Sequence, residues 1–121
     1  MDKVVLTVDD SRTMRDMLML TLSEAGFQVV QAVDGVHGLE VLQGKAPDVI
    51  VTDINMPRMD GFGLIERVRA DARLRVIPIL VLTTEGSADK KDRARRAGAT
   101  GWIVKPFDPR KLVDAIRRVA A

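Results

Sequence analysis

Short runs rich in branched apolar residues alternate along this chain with longer stretches whose apolar residues recur every three or four positions. The runs Val4–Val8, Val29–Val33, Val49–Thr52, Ile77–Leu82 and Trp102–Val104 predict five strands, because Val and Ile suit the crowded, pleated surface of a sheet. Two of these segments, Asp48-Val-Ile-Val-Thr-Asp53 and Ile79-Leu-Val-Leu82, are apolar almost without a break. Such runs fit central parallel strands covered on both faces. Pro78 is tolerated only near the start of its strand.

The intervening stretches predict five helices. Met14, Met17, Leu18, Thr21, Leu22 and Ala25 fall at helical spacing, with Ser11 placed to cap the start and Gly26 to follow the end. Val36, Leu39 and Leu42 mark a short second helix that stops near Gly44. Leu64, Ile65 and Val68 mark a third, begun at Gly61. Ala88, Ala94 and Ala97 give a charged fourth helix a thin apolar face before Gly98. Leu112, Val113, Ile116, Val119 and Ala120 mark the last, with Asp108 and Pro109 as cap and first residue. Five strand–helix units without linker, repeat or low-complexity segment predict one doubly wound α/β domain over residues 1–121.

Composition removes several chemistries. Without cysteine there are no disulfides, zinc thiolates or thiol nucleophiles. The lone His37 excludes multi-histidine metal sites and argues against a histidine-based triad. No apolar run approaches the roughly 18 residues of a membrane span. The N-terminus, Asp2-Lys3 and a short apolar run ended by Asp9-Asp10, is unlike a signal peptide. A soluble, cytoplasmic protein is expected. The net charge of +2 is unevenly divided: residues 1–60 carry 5 basic against 10 acidic side chains, and residues 61–121 carry 14 against 7. The acidic half suits a cation site and the basic half a partner-binding face, although most of these charges read as solvated helix surface.

Ligands of doubly wound sheets bind beyond the C-terminal strand ends, near the point where strand order reverses. The predicted strand ends carry Asp9-Asp10, Asp53, Thr83-Thr84-Glu85 and Lys105-Pro106-Phe107. Three carboxylates, a hydroxyl and an ammonium should therefore meet at one edge. Each alone reads as a turn residue, a cap or a solvated charge; four strand ends with matched groups do not. Clustered carboxylates raise one another's pKa unless a cation lies among them, and an all-oxygen set suits Mg²⁺. With the lysine and the threonine hydroxyl on other phosphoryl oxygens, this is a phosphoryl-transfer site with a carboxylate acceptor.

The residues Val8-Asp9-Asp10-Ser11, Asp53-Ile54-Asn55-Met56-Pro57 with Asp60-Gly61, Thr83 and Lys105-Pro106-Phe107 resemble the bacterial response-regulator receiver domain, in order and over essentially the whole chain. The resemblance implies a flavodoxin-like (βα)5 fold, with a five-stranded parallel sheet in order 2-1-3-4-5 and helices on both faces. It implies that a histidine kinase phosphorylates Asp53. Asp10 and Asp53 would ligate Mg²⁺, Asp9 would act mainly through metal-bound water, and Asn55 would give its backbone carbonyl. Thr83 would bond a phosphoryl oxygen, and Lys105 would pair with Asp53 and then with the phosphoryl group. The Lys105–Pro106 bond is commonly cis in the family.

The segment from Asp9 to Arg15, with Asn55 and Glu85, resembles chemotaxis regulators in particular. Where the family usually has Tyr or Phe, this chain has Trp102. The resemblance implies partial inward movement of that ring on activation. The movement would reshape a face of the fourth helix, fifth strand and fifth helix, where Lys90, Lys91 and Arg95 would favour an acidic or mixed partner helix. The expected protein is a monomer that catalyses only its own phosphorylation and dephosphorylation. Its expected target is a protein such as a flagellar motor switch protein, with no nucleic-acid partner and no membrane insertion.

Other functions compete. The chain could be a phosphate sink or phosphorelay receiver, or a receiver cut from a longer transcription factor. A Mg²⁺-dependent aspartyl phosphohydrolase needs a carboxylate two residues after the acceptor, where Asn55 stands. A flavin-binding module would place ligand phosphate against Asp9-Asp10. The remaining candidates read as structural. Met14, Met17 and Met19 are expected to fill a helix–sheet interface, and His37 and Glu85 to be surface residues when each is taken alone.

Overall fold

The computed structural model describes residues 2–121. Five strands alternate with five helices: β1 (Val4–Val8), α1 (Arg12–Glu24), β2 (Gln28–Ala32), α2 (Gly35–Leu42), β3 (Val49–Thr52), α3 (Gly61–Ala70), β4 (Ile79–Thr83), α4 (Ala88–Ala97), β5 (Gly101–Val104) and α5 (Pro109–Val119). All pairings are parallel and the sheet order is β2-β1-β3-β4-β5, as expected. The chain moves outward from β1 to β2, then crosses back over β1 to β3. The order therefore reverses between β1 and β3, which opens a crevice at their C-terminal ends.

Strand alternation divides the core in two. Leu6, Val8, Ile50, Ile79 and Val81 pack under α2, α3 and α4 with Leu42, Leu64, Ile65, Val68 and Ala94. Val5, Val49, Val51, Leu80 and Leu82 pack under α1 and α5 with Leu18, Leu22, Leu112 and Ile116. The strands β3 and β4 are buried along their whole length, as their unbroken apolar runs predict.

The helix signals hold at both ends. The Ser11, Asp34, Asp60, Ser87 and Asp108 side chains each accept from a backbone N–H in the first turn. Gly26 and Gly98 take positive φ just past α1 and α4. Among the described residues, no helix is long and apolar enough to cross a membrane.

Some boundaries move for local reasons. The second strand starts and stops one residue early: the Gln28 N–H joins the ladder at the Lys3 carbonyl (3.0 Å), and past Ala32 the chain turns into the Asp34 cap of α2. The fourth starts at Ile79, not Ile77: Ile77 closes a turn onto the Leu74 carbonyl (3.0 Å), and Pro78 has no N–H to give the ladder. Thr83 joins this strand and Gly101 joins the fifth. Met17 does not fill the helix–sheet interface; it is exposed, as is Leu20, because α1 buries only the narrow line of Leu18 and Leu22.

Two arginines stitch helix ends together. Arg69 donates to the carbonyls of Gly98 (2.9 Å), Arg75 (2.9 Å) and Ile77 (2.7 Å). Burial pushes its pKa below the ordinary arginine value. Arg73 donates to the carbonyls of Gly44 (3.1 Å) and Leu42, past the end of α2.

Candidate functional site

Ladder bonds continue one residue beyond three of the strands and fix the height of the side chains at their ends. The Asp9 N–H reaches the Ala32 carbonyl (3.1 Å), the Asp53 N–H the Val8 carbonyl (2.9 Å) and the Lys105 N–H the Thr83 carbonyl (2.8 Å). These bonds bring three side chains from distant parts of the sequence to one point. Lys105 Nζ donates to Asp9 Oδ2 (2.8 Å) and Asp53 Oδ2 (2.9 Å), and all three side chains are nearly buried, at 10%, 2% and 12% exposure. The peptide bond from Lys105 to Pro106 is cis.

Asp10 stands beside them, exposed, and carboxylate oxygens of Asp9, Asp10 and Asp53 lie within 4.8 Å of one another. Their mutual repulsion is met by the ammonium of Lys105. Burial alone would push the lysine pKa down, but its bonds to Asp9 and Asp53 outweigh burial and hold it above the ordinary lysine value. The cluster is an all-oxygen donor set suited to a hard divalent cation. Asp9 is the most constrained member: Oδ1 accepts from the Ser11 N–H (2.9 Å), Oδ2 from Lys105, and its carbonyl from Arg15 (2.7 Å). Asp53 Oδ1 accepts from the Ile54 N–H (2.6 Å).

Thr83 is fully buried at the end of β4, and its hydroxyl accepts from the Glu85 N–H (3.3 Å). Glu85 is more than the surface residue it resembles when read alone. Its carboxylate accepts from Lys90 Nζ (3.0 Å) and Asn55 Nδ2 (3.5 Å), and its carbonyl accepts from the indole N–H of Trp102 (3.0 Å). Lys90, then Asn55, holds its pKa below the ordinary glutamate value. One residue thus joins the loop after β3, Thr83, the first turn of α4 and β5.

Trp102 is half-buried against the larger core and pairs in register with Val81. It borders a groove of about 390 Å³ with Lys91, Arg95, Ala88 and Ala99. The basic residues expected there are not all free: Lys90 turns back to Glu85 and Arg95 to Asp92, leaving Lys91 exposed.

Sequence reasoning missed the pair Arg58–Asp34. Arg58 Nε and Nη2 reach Asp34 Oδ2 (2.8 Å) and Oδ1 (3.1 Å), and the Asp34 side chain is 5% exposed. Asp34 reads locally as a plain helix cap, and nothing in the chain marks a partner 24 residues away. His37 is likewise more than a surface residue, since its Nδ1 holds the Val33 N–H.

A family model described as the response regulator receiver domain matches residues 5–117. The chain is 43% identical over 117 residues to the chemotaxis protein CheY1 of Helicobacter pylori, covering 95% of this chain and 94% of that one. It is 40% identical over 116 residues to the chemotaxis protein CheY of Pseudomonas aeruginosa, with the same coverage of 95% and 94%. Among solved structures, the Vibrio cholerae chemotaxis protein CheY4 superposes with a TM-score of 0.93 at 44% identity, over 98% of this chain and 99% of that one.

Proposed function

The chain belongs to the response regulator receiver domain family, and from that membership we propose a phosphorylation-activated switch in chemotaxis that accepts its phosphoryl group on Asp53. The observation that carries this reading is the ammonium of Lys105 lying between Asp9 and Asp53 at the β1–β3 crossover. It places a cation against a nearly buried carboxylate while leaving the cluster open on the side of exposed Asp10.

The roles follow the family resemblance, and the positions of the residues support them. A histidine kinase supplies the phosphoryl group, and Asp53 supplies the attacking oxygen. Lys105 exchanges its bond to Asp53 for one to a non-transferring phosphoryl oxygen and keeps its bond to Asp9. Asp10, Asp53 and the Asn55 carbonyl would hold Mg²⁺, with Asp9 orienting the cluster from behind. When bound, Mg²⁺ neutralises charge on the phosphoryl group in transit. The Thr83 hydroxyl, which now accepts from Glu85, turns to donate to the phosphoryl group. That releases the Glu85 backbone, and with it the carbonyl that holds Trp102 and the carboxylate that holds Lys90.

The output is a changed surface on α4, β5 and α5, read by a flagellar motor switch protein. The protein acts as a monomer and hydrolyses its own acyl phosphate. The test is phosphorylation by a small phosphodonor. Wild type should take up one hydroxylamine-sensitive phosphoryl group, and Asp53→Asn none. Full labelling of Asp53→Asn would place the acceptor elsewhere. Phosphorylated protein should bind a motor switch peptide; labelling without binding would make it a phosphate sink.

A further inference from the structure

Residues 54–60 form the loop that leaves β3 and returns to α3, closed by the Gly61 N–H on the Ile54 carbonyl (2.8 Å). Its near end is set by the Ile54 N–H on Asp53 Oδ1. Its far end is joined to the turn between β2 and α2 at two points. The Gly35 N–H donates to the Met59 carbonyl (3.1 Å), and Arg58 lays two nitrogens on the two oxygens of Asp34. Asp34 Oδ1 also accepts from the His37 N–H (2.8 Å), so one carboxylate caps α2 and holds the loop. The approach is close: a Cβ on Gly35 would lie 2.7 Å from Met59 Cγ. Arg58 has φ 64, a region that favours glycine or asparagine. The long side chain at this strained position is held by its two bonds to Asp34.

We propose that the Arg58–Asp34 pair is a positioning device that fixes the path of the acceptor loop and thereby sets the affinity of the acidic site for its divalent cation. The inference rests on the proposed role of Asp53 and its neighbours as a cation-assisted acceptor site. Asp9 and Asp53 follow strand ends pinned by ladder bonds, and Asp10 follows Asp9 directly. The Asn55 carbonyl belongs to the loop, and a main-chain oxygen cannot be aimed by a change of rotamer. The path of residues 55–59 aims it, and that path is held at Ile54 on one side and at Arg58 and Gly35 on the other. Bidentate guanidinium–carboxylate geometry fixes direction as well as distance. Through the Asp34 cap, the orientation of α2 enters the loop's position.

The test uses Mg²⁺ alone, titrated while the amide signals of Asp10, Ile54 and Asn55 are followed by NMR. Asp34→Asn keeps a good helix cap and removes the charge. Arg58→Gly removes the side chain and relieves the backbone. Each should raise the Mg²⁺ dissociation constant at least threefold and speed amide exchange across residues 55–59. The double variant should lose no more than either single variant, and Arg58→Lys should recover part of the affinity. Relief of the positive φ partly offsets the lost ion pair, so the melting temperature of Arg58→Gly should fall by no more than that of Asp34→Asn, which separates positioning from a general loss of fold. Unchanged Mg²⁺ affinity in both single variants, or losses that add in the double variant, would overturn the proposal. A wild-type protein whose Asp10 and Ile54 signals show no saturable response would overturn the reading of the acidic site itself, and the positioning role with it.

Discussion

Lys105 is the residue on which the acidic cluster balances. Replacing it with Met leaves two nearly buried carboxylates side by side without their cation. We expect Lys105→Met to cost about 1–3 kcal/mol in metal-free buffer, measured by denaturant unfolding, with partial recovery in Mg²⁺. Asp10→Ala should differ sharply: its carboxylate is exposed, so thermal stability should hold while phosphorylation is lost. Asp34 sets an acid limit. Its bond from Arg58, then that from the His37 N–H, holds its pKa below the ordinary 3.8. Its contribution is therefore complete above the ordinary carboxylate range and is lost as pH falls through the lowered pKa. The stability gap between wild type and Asp34→Asn should be widest near neutrality and close in acid; a gap constant with pH would mean that the charge contributes nothing. The acidic cluster was legible because each member ends a recognisable strand. The Arg58–Asp34 pair was not, because a polar contact between two loops leaves no periodicity.

At the scale of elements, the close approach of α3 to the end of β3 matters most. Gly61 opens α3, and a Cβ there would meet the Asp53 carbonyl and lie 2.9 Å from Ile54 Cα. Gly61→Ala should therefore cost about 1–3 kcal/mol as an overpacked contact and displace Asp53, read as a lower melting temperature and, on the proposed role of Asp53, slower phosphoryl labelling. Wild-type values for both would show that the backbone yields freely. The element order, caps and central strands were readable in the sequence, since buried parallel strands and amphipathic helices differ in period. The edges were harder. The second strand slid by one residue because Gln28 pairs with Val4 and the chain turns after Ala32 into the Asp34 cap, a register and a turn that strand propensity does not encode. Met17 pointed outward because α1 needs only Leu18 and Leu22 to cover its part of the sheet.

Across the whole molecule, one network of contacts runs from Lys105 and Thr83 through Glu85 to Trp102 and α4. Trp102 is the only tryptophan, so its emission reports this path. Mg²⁺ with beryllofluoride should shift the emission, Asp53→Asn should abolish the shift, and Thr83→Ala should alter it. An unchanged spectrum with unchanged quencher access would make the ring a static packing element. The two ends of α4 are not equally free to respond. Arg69 grips the Gly98 carbonyl and anchors it to the turn after α3, whereas the other end meets the network through the single ion pair of Lys90. On activation the helix is expected to pivot about Gly98, the end that Arg69 holds. Ten residues make an arm of about 15 Å, so a tilt of about 5° sweeps the Ser87 end through a little more than 1 Å while leaving the Arg69 end in place. Backbone displacement on activation should grade along α4 from Ala97 toward Ala88, and Arg69→Ala should turn that graded swing into a shift of the whole rod.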